Sequence, residues 1–272
     1  VSAKHARRSP RSSRAYPALA LSVLAALSLV AAALSLSAAP RRPGPAVHAA
    51  AAPAPSTTTP TASPTTTSTA PAVPATTVLA TLSGPTQAYA SPGGAPSVLL
   101  PAQWLDSPSV LPVVATAGDW LDVRIAQRPN GQTGWIERSQ ATLSATPYAI
   151  VIDLSTEHLE LFRDGEQVLD APAGIGTATD PTPTGQFFLA LFAEAPSPDY
   201  GPFVMVTSAH SDTITDWDES GDAIIAIHGP LGADAAIGTT GAAISHGCVR
   251  LHDSDLMVLR AVPDGSPIDI VS

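Results

Sequence analysis

From Ile227 to Leu251 the chain reads IHGPLGADAAIGTTGAAISHGCVRL. The stretch holds the only cysteine of the 272 residues, Cys248, with His246 just before it and His252 shortly after. A free thiol, with a pKa of about 8.5, is only a few per cent thiolate at neutral pH, so reactivity needs an imidazole that takes its proton. Two histidines qualify. His246 shares a face with the cysteine on a strand-like stretch without its reactive atom being aligned, whereas His228 ends the apolar run AIIAI, where a scaffold would hold it rigidly. Gly247 removes a side chain where a substrate carbonyl must approach, and its backbone freedom lets successive N–H groups point at one place. Such donors form an oxyanion hole, and one donor is worth about 2.7–4 kcal/mol in the transition state. His228, Gly247 and Cys248 can therefore assemble an acyl-transfer site. A zinc site from His228, His246, Cys248 and His252 is the competing chemistry, but a lone cysteine without a Cys-x-x-Cys pair supports it poorly. Taken singly, His228 on an apolar run reads as a core histidine.

Outward from this stretch the pattern is that of strands. YAIVIDLSTEHLELF, from Tyr148, is followed by a turn at RDGEQ and by VLDAPAGIG; Leu159 and Leu161 alternate with Glu160, and Asp164-Gly165 is hairpin-turn chemistry. One helix is expected, Ser254 to Val262, capped by Asp253 or Ser254 and stopped by Pro263-Asp264-Gly265, with PIDIV as a closing strand. The polar stretch SAHSDTITDWDESGD, Ser208 to Asp222, is expected to loop near the site, with Trp217 as a lid against substrate; His158 and His210 are expected to face solvent. Its acidity suits a cationic acceptor amine. Upstream, Leu121, Val123 and Ile125 alternate with Asp122 and Arg124, and Asn130-Gly131 supplies a turn. Residues 78–146 thus read as a small barrel, in which Trp104, Trp120 and Trp135 are either a ligand platform or packed aromatics.

Charge divides the chain. No acid precedes Asp106, and from residue 43 onward six basic residues face 23 acidic ones, with no lysine. Such a surface repels nucleic acid and anionic lipid, which argues against both as partners of the folded part, and its plainer meaning is the solubility of an exported protein. Residues 1–17 are a basic segment. Residues 18–39, ALALSVLAALSLVAAALSLSAA, carry no charge, and as a helix would span about 33 Å, enough for a hydrocarbon core of roughly 30 Å. A transmembrane anchor or a signal peptide is expected, with AVHA, ending at Ala49, as a small-residue cleavage site and the rest outside the cytoplasm. Residues 40–77, rich in Pro, Thr, Ser and Ala, are expected to form an extended stalk.

Three features carry a family resemblance: the His-Gly pair followed by Ser-His-Gly-Cys-Val-Arg, the turn DPTPTGQF from Asp180 to Phe187, and the opening strands IVIDLSTEHLELF. Residues 147–272 resemble the YkuD-type catalytic domain of L,D-transpeptidases. Residues 78–146, through GDWLDV and GWI, resemble bacterial SH3-like domains, which would serve as wall binder or spacer. The implied fold is mainly β: a YkuD-type β-sandwich with a short C-terminal helix, preceded by a small SH3-like β-barrel, a disordered stalk and an N-terminal transmembrane helix. The resemblance implies Cys248 as nucleophile, His228 as general base held by the Gly229 carbonyl, oxyanion donors near Gly247 and Cys248, and Ser245, His246 and Arg250 as loop-organising and substrate-binding residues. It implies no metal and no cofactor. The implied partners are peptidoglycan stem peptides, carbapenem inhibitors and, through the N-terminal helix, the membrane. The implied reaction forms 3→3 cross-links through a cysteine thioester; hydrolysis would make an L,D-carboxypeptidase, and a different class is a non-catalytic wall-binding module. NlpC/P60 peptidases place cysteine before histidine, and sortases place their arginine far after the cysteine, so neither order fits.

Overall fold

A computed structural model of the protein describes residues 73–217, 219–239 and 241–272. The expected basic segment, the apolar segment at 18–39 and most of the stalk lie outside the described residues. Among the described residues no helix is long and apolar enough to cross a membrane.

The first nine strands are β1 (Thr77–Leu82), β2 (Thr86–Tyr89), β3 (Pro96–Leu100), β4 (Gln103–Trp104), β5 (Ser107–Pro108), β6 (Val110–Ala117), β7 (Trp120–Arg124), β8 (Thr133–Glu137) and β9 (Ala141–Thr146). Seven form one sheet in the order β3-β2-β8-β7-β6-β1-β9, and β4 with β5 makes a small hairpin. Alternation sets the faces: Leu121 and Val123 of β7 are buried while Trp120, Asp122 and Arg124 are partly exposed. Trp120 meets Tyr89 edge-on at 5.4 Å, and Trp104 packs against two apolar clusters.

The second sheet uses β10 (Tyr148–Asp153), β11 (His158–Arg163), β12 (Glu166–Pro172), β14 (Gly185–Ala193), β15 (Val204–His210), β16 (Ile224–His228), β18 (Val249–Arg250) and β19 (Pro267–Val271). Two short strands, β13 (Ile175–Gly176) and β17 (Ala243–Ser245), pair separately. The order is β12-β11-β10-β19-β14-β15-β16-β18, so the two layers expected of a sandwich are halves of one continuous sheet. β14 joins them: residues 185–188 pair with β19 and residues 189–193 with β15, with a register shift between Leu189 and Leu191. A bulge bends a strand, and this one lets the sheet curl over its own core. The turn between β11 and β12 places Asp164 at φ 54° and Gly165 at φ 81°, the two left-handed residues of a tight hairpin.

β14 is buried on both faces. Phe187 and Leu189 enter the core with Ile152, Leu161, Met205, Ile227 and Ile270, while Phe188 and Ala190 point the other way into the core of the N-terminal sheet. Burying a phenylalanine is worth roughly 1.5–3 kcal/mol, so Phe188 alone makes a substantial joint between the sheets. Thr146 Oγ1 and Ser266 Oγ, 3.0 Å apart, and Arg124 Nη2 donating to Gln186 Oε1 at 2.5 Å add polar ties. The one α-helix among the described residues, α1 (Asp253–Val258), continues as a 3₁₀ turn over Leu259–Ala261.

Candidate active site

β16 and β18 run parallel, with Ile227 opposite Val249 and His228 opposite Arg250. Cys248, one residue before β18, therefore falls beside Ala226, two residues before His228 on the neighbouring strand. The histidine is 2 % exposed, and its Nδ1 lies 2.8 Å from the carbonyl oxygen of Gly229. A carbonyl only accepts, so Nδ1 carries the proton and Nε2 keeps the free lone pair. Gly229 must be glycine: a Cβ there would lie 2.6 Å from Asp253 Oδ1 and 2.7 Å from the Gly201 nitrogen. Its own N–H donates to the Tyr200 carbonyl at 2.8 Å, so the Tyr200-Gly201 turn and the start of α1 fix the carbonyl that orients the imidazole.

The loop before the cysteine is braced from inside. Gly247 has φ 117°, and a Cβ would meet Ile225 Cδ1 at 2.8 Å. Its N–H donates to Ser245 Oγ at 3.1 Å, and that hydroxyl donates to the Cys248 carbonyl at 2.5 Å. The Gly247 carbonyl accepts from Thr182 Oγ1 at 2.8 Å, and Thr182 Oγ1 in turn accepts the Gly176 N–H at 2.9 Å. Thr182 is 3 % exposed. One buried hydroxyl thus ties the Thr-Pro-Thr-Gly turn to the cysteine loop.

The electrostatics favour neutral partners. Burial and then the Arg250 charge push His228 down to about 4, and the hydrogen bond to Gly229 offsets this only in part. Burial pushes the Cys248 thiol up, against the Ala226 backbone N–H and the Arg250 charge. At neutral pH these shifts favour a neutral imidazole at His228 and a protonated thiol at Cys248. Tyr200 packs its ring 4.9 Å from that of His228, and burial, with the charge of Cys248 adding, pushes its hydroxyl up to about 12.

The expected site residues separate into three groups. Ser245, Gly247 and Cys248 are joined by hydrogen bonds, and His228 with Gly229 lies at the end of the neighbouring strand. Arg250 is buried, not presented to solvent, with its Nε lacking a hydrogen-bond partner and its charge acting on Cys248, Tyr200 and His228. His246 is exposed and meets the ring of Trp217 at 5.4 Å, which brings the polar loop to a residue two positions before Cys248. His252 pairs with Asp234 at 2.7 Å, and among the described residues no group of three or more His, Cys, Asp or Glu converges as a metal site. Of the two histidines expected in solvent, His158 is there, its side chain 40 % exposed against Asp170, whereas His210 is 3 % exposed on β15 with Nδ1 2.8 Å from Asp222 Oδ2. Thr182 and Tyr200 were not singled out from the sequence; the Thr-Pro-Thr-Gly turn pointed to the first, and nothing local marks the second.

Residues 147–270 match a family model, YkuD, described as the L,D-transpeptidase catalytic domain. Two curated proteins named "Putative L,D-transpeptidase YkuD", from Bacillus subtilis and Bacillus licheniformis, are each 26% identical over 125 residues, covering 46% of this chain and 66% of the relative. Among solved structures, the L,D-transpeptidase from Mycobacterium smegmatis is similar at 17% identity and TM-score 0.36, over 60% of this chain and 82% of that one. The L,D-transpeptidase LdtMt1 in complex with imipenem is similar at 20% identity and TM-score 0.35, over 71% and 82%. The curated relatives match over less than two thirds of their length, and the match falls on the half of the chain that holds the cysteine centre. Residues 147–270, which hold the cysteine centre, are similar to the catalytic domain of the YkuD L,D-transpeptidase family.

Proposed function

We propose that the protein is an extracytoplasmic peptidoglycan L,D-transpeptidase that forms 3→3 cross-links through a Cys248 thioester. The observation that carries this reading is the fixed tautomer of His228. Its Nδ1–H is held by the Gly229 carbonyl, its ring is kept neutral by burial, and its strand runs beside the cysteine. Nε2 takes the thiol proton as sulfur attacks the carbonyl of the third stem residue, typically meso-diaminopimelate. The tetrahedral oxyanion is met by the Cys248 N–H, since the Gly247 N–H is already donated to Ser245. Collapse of that intermediate breaks the peptide bond, and the departing D-alanine amine takes the proton back from His228. An amine of a neighbouring stem then attacks the thioester, passes its proton to His228, and leaves the cross-link and the free thiol. Trp217 and His246 line the approach to the sulfur and Arg250 supplies positive charge behind it. The match to the L,D-transpeptidase family model supports stem peptides as substrates and carbapenems as acylating inhibitors.

Incubating the chain with a disaccharide tetrapeptide and analysing products by mass spectrometry tests the reaction. A dimer lighter by one D-alanine, absent with Cys248→Ala, is the expected result. Tripeptide plus free D-alanine without dimer would make the protein an L,D-carboxypeptidase, and unchanged substrate would return it to the binding-module class.

A further inference from the structure

We propose that Arg128 and Asn130, on the connection between β7 and β8 of the N-terminal sheet, are positioning residues for the loop that holds Trp217 against His246, two residues before the cysteine. The inference rests on the acyl-transfer reading of Cys248. The loop runs from Ser211 to Ala223 between β15 and β16, and its base is closed by the Ser211 N–H donating to the Ala223 carbonyl at 2.8 Å. At its tip the Trp217 N–H donates to the Asp222 carbonyl at 2.9 Å and Trp217 meets His246, two residues from the nucleophile. Nothing in those local bonds fixes the angle at which the loop leaves the sheet. The N-terminal sheet does so.

Arg128 spans the loop with all three nitrogens of its fork. Nε donates to Asp222 Oδ1 at 2.8 Å, Nη1 to the Ser211 carbonyl at 2.7 Å and Nη2 to the Ile214 carbonyl at 2.9 Å. It therefore grips both ends of the loop and a point between them. Asn130 grips the strand feeding it: its Nδ2 donates to the His210 carbonyl at 2.7 Å and to Asp212 Oδ1 at 3.2 Å, and its Oδ1 accepts the His210 N–H at 2.9 Å. Asp222 is the shared anchor, also accepting the Ala223 N–H at 2.7 Å and lying against buried His210. A planar guanidinium serves three acceptors at fixed angles, which a lysine ammonium on a flexible stem does not reproduce. The sheets stay docked without this grip, because the Phe188 and Ala190 packing, the Thr146–Ser266 contact and the Arg124–Gln186 bond are separate from it. The N-terminal sheet is thus part of the catalytic apparatus and not a spacer alone.

The test compares the full chain with Arg128→Ala, Arg128→Lys and Asp222→Asn. Three readouts are taken: the rate of carbapenem acylation by intact mass, the rate of Cys248 alkylation by iodoacetamide, and hydrogen exchange of residues 211–223. A misplaced substrate-contacting element costs up to about a hundredfold in rate, so Arg128→Ala should slow acylation by roughly ten- to a hundredfold. Alkylation, which needs no loop contact, stays at the wild-type rate; exchange quickens only in the loop; and Arg128→Lys recovers part of the loss. Acylation by Arg128→Ala at the wild-type rate overturns the proposal. So does a parallel fall of acylation and alkylation with exchange quickened across both sheets, which marks a general loss of stability. A wild-type chain that is alkylated but never acylated overturns the functional reading itself, an outcome visible before any variant is compared.

Discussion

Thr182→Val removes one oxygen from the brace under the cysteine loop and leaves the side-chain volume nearly unchanged. The hydroxyl accepts the Gly176 N–H at 2.9 Å and donates to the Gly247 carbonyl at 2.8 Å, both inside the protein. With valine there, two backbone groups lose their partners, and each buried group so orphaned costs about 1–3 kcal/mol. A methyl cannot sit 2.8 Å from a carbonyl oxygen, so the Gly247 peptide must also shift. The expected loss is about 2–6 kcal/mol, read as a lower denaturation midpoint in urea at unchanged slope. At about 2–4 °C per kcal/mol for a folded unit of this size, the melting temperature should fall by roughly 10 °C. Because the shifted peptide is the one preceding Cys248, acylation of the folded fraction should slow as well. Thr182→Ser keeps the oxygen and should recover most of both losses. A valine variant within about 0.5 kcal/mol of wild type, the range of an ordinary surface change, would refute the reasoning, as would a serine variant no better than valine.

Two further outcomes follow from the charges of the site. Burial holds His228 down to about 4, against an ordinary value of 6.5, so the unfolded chain binds that proton first. The stability this confers is complete above pH 6.5 and is lost as pH falls toward about 4, by on the order of 3 kcal/mol. Urea midpoints across that window should show the slope in wild type and not in His228→Gln; equal slopes would contradict it. Arg250 draws the Cys248 thiol down and pushes His228 down. Arg250→Gln should therefore move the pH profile of iodoacetamide alkylation to higher pH, and an unmoved profile would show that the buried guanidinium does not act on the sulfur.

What the sequence revealed depended on how far apart the cooperating residues lie. Alternation in β7 and β11, the Asp164-Gly165 turn and the closing strand at Pro267–Val271 are local, and they appear where periodicity and turn chemistry put them. The helix expected over Ser254–Val262 begins one residue earlier and tightens to a 3₁₀ turn in its last part. The Gly229 hold on His228 was expected from the family resemblance and is found. The curl of a single sheet was not legible, because GQFFLALFA reads alike whether its two faces meet one core or two. His210 looks solvated among Ser211, Asp212 and Thr213, yet its backbone is held by Asn130, 80 positions away, and its ring faces Asp222. Thr182 gains its role only from Gly247, 65 positions on. Arg250 carries the charge expected of a substrate ligand, and its burial between strand partners His228 and Gly174 was not legible from its own neighbours in sequence.

The most direct test of the central claim is the intact mass of the chain after incubation with a carbapenem, beside Cys248→Ala and His228→Ala. One covalent adduct on the wild type, absent from the cysteine variant and formed slowly by the histidine variant, is the predicted result. A wild-type chain that stays unmodified, or an adduct that persists in Cys248→Ala, would contradict it.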